Sequence, residues 1–339
     1  MKLAGIVNTR TLPLIVTSLL FTLLFGFGSV AYDNFFSAQV FLNLLIDNAF
    51  VVVVAIGMTF VILTGGIDLS VGSVVALTTM VSAALVEQQH WSIWVIVPLV
   101  LAMGSLFGMM MGALIHYFRM QPFIVTLGGM FLARGLCYVI SIDSIAITDP
   151  TYTAISEYRL NFGDEASLSA SAIIALLMLV LAIFVAQYTR FGRTVYAIGG
   201  NERSASLMGL PVARTKILVY TLSGFCSALG GVLVTFYMLS GYGLHALGLE
   251  MDAIASAVIG GTLLTGGVGY VAGSLIGVMI LGVIQSLIAF DGSLSSWWTR
   301  IAIGVLLCAF CLMQRLLERS GSNLGAIFSY WKKPASPAA

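Results

Sequence analysis

The sequence predicts an all-α integral membrane protein, and three observations support this fold class. Of the 339 residues, 59% are hydrophobic and only 9% are charged, whereas soluble domains carry about 25% charged residues. The apolar residues form segments long enough for a helix to cross a bilayer. Gly pairs interrupt two of these segments at matching positions. The formal net charge of +1 gives no indication of a nucleic-acid partner.

About ten apolar segments are predicted to cross the membrane as helices. The first comprises 21 residues and is therefore too long for the apolar core of a signal peptide, so we interpret it as a retained helix. The second and eighth are short, and each ends at one of the Gly pairs. In chain order, the predicted spans are residues 11–31, 47–63, 69–86, 92–115, 122–142, 168–188, 214–239, 251–264, 270–290 and 297–315.

The basic residues predict the orientation of the chain in the membrane. With ten alternating spans and a cytoplasmic N-terminus, most of the 15 Lys and Arg residues fall on the cytoplasmic side, as the positive-inside rule requires. Both termini are then cytoplasmic. Residues 1–10 form the N-terminal segment, residues 11–315 the transmembrane domain, and residues 316–339 a cytoplasmic tail.

One motif occurs twice, 201 residues apart. Residues 63–73 read LTGGIDLSVGS and residues 264–274 read LTGGVGYVAGS. A helix broken within the bilayer exposes backbone groups that only protein or a water-filled cavity can satisfy, and matching breaks in two halves of a chain indicate a transport pathway. The alternative is that these glycines only allow close helix packing. The candidate break and pathway residues are Thr64, Gly65, Gly66, Asp68, Thr265, Gly266 and Gly267.

Asp68 places a carboxylate in an apolar segment. A charged residue within a membrane segment indicates a functional role unless a structural one is found. One interpretation is an N-cap for a helix that begins at Leu69, and the other is a gate or substrate contact. The second motif copy has Gly269 at the equivalent position. This asymmetry favours a local structural role for Asp68 over a symmetric pair of binding carboxylates.

The longest basic loop, residues 189–213, is predicted to contain a short helix. Asn201 can cap it, and Glu202 lies in its first turn, where the helix dipole favours an anion. Gly209 ends the helix and Pro211 prevents its continuation. Such a helix on the cytoplasmic face suits docking into a groove of a partner protein. The alternative is an ordinary connection between two spans.

Three blocks of sequence resemble one known family. Residues 57–72 read GMTFVILTGGIDLSVG and resemble the signature of permease subunits of sugar ABC importers of the ribose, arabinose and galactoside type. Residues 197–209 resemble the family's coupling loop, and residues 248–262 are similar to a third block. The departure at Ser204-Ala205-Ser206, where the family usually has Ala-Ala, is mild. The whole chain is also similar to permeases of bacterial galactofuranose importers.

This resemblance implies a type II-like ABC importer permease in the bacterial inner membrane, surrounded by lipid. It implies a second permease subunit in a heterodimer, a periplasmic sugar-binding protein and a cytoplasmic ABC ATPase. It also implies galactofuranose as the transported sugar, without a cofactor or a metal. The residues implied in ATPase coupling are Gly199, Gly200, Asn201, Glu202, Ala205 and Gly209.

Other function classes find less support in the sequence. No G-x-x-x-x-G-K-[ST] motif is present, so ATP hydrolysis is expected on a separate subunit, and the chain itself is not expected to be an enzyme. The alternative function is an ion- or proton-coupled secondary carrier without an ATPase. Such a carrier needs membrane-embedded acids in relay, and only Asp68 clearly qualifies, with Glu250 and Asp252 near an interface.

Overall fold

The structure is a computed structural model that describes residues 12–33, 35–162, 166–292, 295 and 297–331. The predicted N-terminal segment 1–10 and the last eight residues of the predicted tail lie outside the described residues. Within the described part the helices are α1 (Leu12–Ala31), α2 (Ala38–Asp47), α3 (Ala49–Leu63), α4 (Val71–Glu87), α5 (Ile93–Tyr117), α6 (Pro122–Ile140), α7 (Pro150–Glu157), α8 (Ala170–Tyr188), α9 (Arg190–Gly200), α10 (Glu202–Leu207), α11 (Val212–Met238), α12 (Leu249–Ile259), α13 (Val271–Asp291) and α14 (Trp297–Trp331). The strands are β1 (Ile145–Ala146), β2 (Arg159–Asn161), β3 (Ser167–Ser169) and β4 (Ser240–Gly241).

The all-α membrane fold is confirmed, but ten full spans are not observed. In the described chain, seven helices are long and apolar enough to cross a membrane, namely α1, α5, α6, α8, α11, α13 and the Trp297–Gln314 part of α14. The number rises to eight if α2 and α3, which meet at a 57° bend, form one span. Helices α4 and α12 occupy two other predicted spans but have only 17 and 11 residues. The number of spans is approximate, because hydropathy registers apolar side chains and not the continuity of the backbone.

Helix α11 lies at the centre of the bundle and packs against α3, α4 and α5. The α5–α11 contact depends on small residues, because a Cβ atom at Gly108 would overlap the backbone carbonyl of Tyr220, and one at Gly224 would overlap that of Gly104. Helix α3 is buried on all sides except at Phe50, which explains why its sequence is apolar around its whole circumference. The first Gly break begins where this buried helix ends, at Leu63.

Two small antiparallel sheets order the loops at the end of the bundle predicted to be external. Strand β1 pairs with β4, with Ile145 opposite Gly241, and β2 pairs with β3. Arg134 on α6 donates hydrogen bonds to the carbonyls of Gly243 and His245 at 2.5 and 2.9 Å. The β1–β4 pair and the Arg134 hydrogen bonds hold the segment after α6 and the segment after α11 against each other. At the opposite end of the bundle, α14 continues beyond the predicted last span to Trp331.

Candidate functional site

The two copies of the repeated motif contact each other. The backbone N–H of Gly267 donates a hydrogen bond of 2.9 Å to the carbonyl of Leu63. Ser274, the last residue of the second copy, shares a hydrogen bond of 2.6 Å with Thr59, one turn before the end of α3. The backbones of Gly65 and Gly266 also approach so closely that a Cβ atom at Gly266 would lie 2.8 Å from the nitrogen of Gly65. The two breaks therefore form one continuous site.

The first break begins where α3 ends at Leu63. The N–H groups of Thr64, Gly65 and Gly66 donate to the carbonyls of Val61 and Ile62 at 2.8–3.1 Å. Gly65 has φ +77°, the left-handed conformation that glycine adopts after a helix C-cap. The exposed backbone groups of the break are thus partly satisfied within its own turn.

The second break is longer than predicted. Helix α12 ends at Ile259, before the predicted border at 264, because Gly261 adopts φ +93° and turns the chain earlier. Gly266 and Gly267 also have left-handed φ angles of +85° and +76°. The Gly pair of the second copy therefore lies within an irregular segment between α12 and α13, whereas the Gly pair of the first copy directly follows the end of α3.

Asp68 connects the first break to the central helix. Its carboxylate accepts hydrogen bonds from the N–H and hydroxyl of Ser70 at 3.0 and 2.6 Å, and from the hydroxyl of Ser223 on α11 at 2.7 Å. The predicted cap of a helix at Leu69 is not observed, because α4 begins at Val71 with Ser70 as its N-cap. Asp68 is completely buried. Its described hydrogen-bond partners are serines, so the contacts provide no carboxylate relay of the kind that a proton-coupled carrier needs.

The loop at 189–213 folds into two helices, α9 and α10. The Asn201 side chain accepts a hydrogen bond of 2.8 Å from the N–H of Ser204, so the predicted cap is present. Glu202 forms an ion pair of 2.7 Å with Lys216. Ala205 is buried beneath the turn, and Gly209 has φ +77° where the chain leaves α10.

Helix α9 was not predicted from the sequence. Its N-cap is Thr189, whose hydroxyl accepts a hydrogen bond of 3.2 Å from the N–H of Gly192. Phe191, Val195 and Ile198 pack inward at the spacing of one helix face. The capping residue and this apolar spacing were visible in the sequence, but three glycines and two arginines within eleven residues hide them in a hydropathy profile.

Helix α9 contacts both breaks at once. A Cβ atom at Gly199 would overlap the carbonyl oxygen of Leu63 and the amide nitrogen of Gly267, which are the two partners of the hydrogen bond between the breaks. The Tyr196 hydroxyl donates a hydrogen bond of 2.9 Å to the carbonyl of Gly269. Burial raises the pKa of Tyr196 above its ordinary value of 10.0, and nearby Tyr270 raises it further, so the hydroxyl keeps its proton at neutral pH.

We predict that Tyr196→Phe lowers uptake about fivefold, because the net contribution of one hydrogen bond is about 1 kcal/mol. Initial uptake rates in cells with equal amounts of membrane-inserted protein would measure this effect. Tyr188→Phe is the matched control, since Tyr188 is exposed at the end of α8 and should retain full uptake. Equal rates for both variants would contradict a role of the Tyr196 bond in transport.

Comparison with known proteins identifies the family. A family described as "Branched-chain amino acid transport system / permease component" matches residues 40–311, which include both breaks and helices α9 and α10. The chain belongs to this permease family. The permease extends beyond the matched region at both ends, through α1 and the last part of α14.

Relatives of the permease narrow its class to sugar ABC transporters. It is 48% identical to the inner membrane ABC transporter permease protein YjfF of Escherichia coli K12, over 90% of its own length and 92% of that protein. It is 37% identical to the fructose import permease protein FruG of Bifidobacterium longum, over 93% and 94% of the two chains. It is 36% identical to the ribose import permease protein RbsC of Escherichia coli K12, over 82% and 86%. No solved structure matches the permease significantly.

The permease is therefore a multi-pass membrane protein of the sugar ABC permease family, whose bacterial members lie in the inner membrane. Its relatives are transport permeases rather than enzymes, as the sequence predicted. The family is also one whose transport is driven by a separate ATPase. The site formed by the two breaks and α9 is the candidate functional site of the permease.

Proposed function

We propose that this permease forms, together with a second and different permease subunit, the translocation pathway of an ATP-driven sugar importer. The observation that carries this proposal is the contact of α9 with both breaks through Gly199 and Tyr196. Because α9 contacts the end of α3 and the segment before α13, a shift of α9 would move both breaks. The two breaks would then open and close the path in response to the ATPase.

The ATPase is proposed to dock on α10. Both chain termini are proposed to lie on the same, cytoplasmic side of the membrane. Leu207 and Met208 at the end of α10 are 83% and 68% exposed, and apolar side chains on a short helix are suited to a groove in a partner. Ala205 on α10 is buried instead, in one apolar cluster with Ile198 of α9. A force on α10 would therefore be transmitted into α9 through packed side chains.

The transported sugar is proposed to be galactofuranose, delivered by a periplasmic binding protein. The support is the resemblance of the sequence to permeases of bacterial galactofuranose importers. The names of two relatives, for fructose and ribose import, support sugar import in general. Uptake of labelled galactofuranose should be inhibited by unlabelled galactofuranose far more than by ribose, arabinose or galactopyranose. Strong inhibition by ribose alone would contradict the proposed sugar while leaving the importer class intact.

Sealed inverted vesicles that contain the permease, its partner subunit and the ATPase, with the binding protein and labelled sugar enclosed in the lumen, would test the energy source. We expect sugar transport to require ATP and to persist when a protonophore is added. Transport that needs no ATPase and collapses with the protonophore would favour the secondary carrier instead.

Two substitutions in the loop test ATPase docking. Glu202→Lys replaces the Lys216 ion pair with like charges, and Gly200→Pro removes a backbone N–H from the last turn of α9. We expect both variants to hydrolyse ATP without sugar uptake while remaining in the membrane. Gly200→Ala is the control, because a Cβ atom there meets nothing within 4 Å. Wild-type uptake in both test variants would disprove the docking assignment.

A further inference from the structure

A basic groove lies between the first turn of α9 and the first two turns of α11. It has a volume of about 690 Å³, and Arg190, Arg193 and Arg214 line it together with an apolar floor. The floor is formed by Phe191, Leu210, Pro211 and Leu218. No acidic residue contributes to the lining, so the groove combines three positive charges with an apolar base.

The three arginines have no carboxylate partner in the described part of the chain. The ion pairs found there are Lys216–Glu202 and Arg300–Asp252, so the nearest acid in the loop, Glu202, is already paired. Arg193 donates one long hydrogen bond of 3.4 Å to the carbonyl of Tyr188. Three exposed guanidinium groups of like charge repel one another unless an anion lies between them, and guanidinium groups bind phosphate in a bidentate manner.

The position of the groove along the membrane normal indicates which anion it binds. Helix α11 has 27 residues and therefore rises about 40 Å, whereas the hydrocarbon core is about 30 Å thick. The excess of about 10 Å leaves roughly three residues at each end in the headgroup region. Arg214, the third residue of α11, then lies among headgroups. Leu218, one turn further and 41% exposed, lies within the hydrocarbon.

We propose that this groove binds an anionic phospholipid of the cytoplasmic leaflet. Its phosphate would contact Arg190, Arg193 and Arg214, and one acyl chain would follow the apolar floor past Leu218. The ATPase is the less suitable occupant, because the exposed apolar residues Leu207 and Met208 lie on α10, outside the groove lining. The site does not depend on which sugar is carried. Because α9 also holds Tyr196 and Gly199, a lipid bound here would affect the helix that contacts both breaks.

Native mass spectrometry of the purified complex of the permease, its partner subunit and the ATPase would test lipid binding directly. The detergent-solubilised complex is mixed with phosphatidylglycerol or with phosphatidylcholine, and the retained lipid is counted. We expect retention of phosphatidylglycerol over phosphatidylcholine. Combined Arg190→Gln, Arg193→Gln and Arg214→Gln substitutions should lower phosphatidylglycerol retention at least about tenfold. Arg203→Gln, on exposed α10 outside the groove, should leave it unchanged.

Three results would overturn the proposal. Unchanged retention in the triple Gln variant would place the lipid elsewhere. Equal displacement by free inorganic phosphate would indicate a simple anion site. Loss of co-purified ATPase with lipid retention intact would indicate a protein-docking surface. If the triple Gln variant is not inserted, the single Arg214→Gln and Arg193→Gln variants should each show a partial loss, and the corresponding Lys variants should recover retention.

Discussion

Replacing Gly199 with Ala is expected to reduce ATP-driven sugar uptake about tenfold or more. The added Cβ atom would occupy the space of the Leu63 carbonyl oxygen and the Gly267 nitrogen. Both are backbone atoms, so neither can rotate away as the end of a side chain would. Overpacking of this kind costs about 1–3 kcal/mol, and each 1.4 kcal/mol corresponds to about a factor of ten in an equilibrium. The substitution would therefore disturb both the hydrogen bond between Gly267 and Leu63 and the position of α9.

The neighbouring Gly200→Ala substitution provides the control for this experiment. It adds the same methyl group to the same helix one residue later, where nothing lies within 4 Å. Uptake, ATP hydrolysis and the amount of protein in the membrane should be measured for both variants. We expect Gly199→Ala to retain insertion and lose uptake, and Gly200→Ala to retain both. Similar uptake in the two variants would show that the contact between α9 and the breaks is not needed for transport.

Replacing Gly65 and Gly66 together with Ala is expected to produce the second large effect. Gly65 has φ +77°, a conformation that costs an ordinary L-residue about 1–2 kcal/mol. A Cβ atom at Gly66 would lie 2.5 Å from the hydroxyl oxygen of buried Tyr220. Ala also favours continuation of α3 as a helix, which would move Leu63 away from Gly267. We expect uptake to fall about tenfold or more, as two strains of this size combine.

Gly128→Ala is the matched control for the double substitution. Gly128 lies within α6, with nothing within 4 Å of an added Cβ atom, so the helix should become slightly more stable by about 0.5–1 kcal/mol. Uptake rates normalised to membrane-inserted protein would separate the two cases. If the Gly65 and Gly66 variant transports at the control rate, the breaks serve only close helix packing.

Much of the fold could be predicted because the composition of a single segment decides whether it is stable in the bilayer. A segment of about 20 apolar residues is a spanning helix wherever it occurs, and most of the predicted spans coincide with such helices. The Asn201 cap and the turn at Gly65 could also be predicted, since each depends on hydrogen bonds between residues three or four positions apart in the chain. The bounds of α4 and α12 could not be predicted in the same way, because backbone turns decide where these helices begin and end.

The sequence by itself determined the membrane class, the two breaks and the short helix at Asn201, because each depends on side chains close together in the chain. Tertiary structure alone decided that the breaks meet each other and that α9 touches both. Those contacts join Leu63, Gly199 and Gly267 through backbone atoms, which no side-chain pattern encodes. The partner of Asp68 was equally hidden, since Ser223 lies 155 residues away in the chain. The packing of α11 against the first break decides which donor lies within hydrogen-bond distance of the buried Asp68 carboxylate.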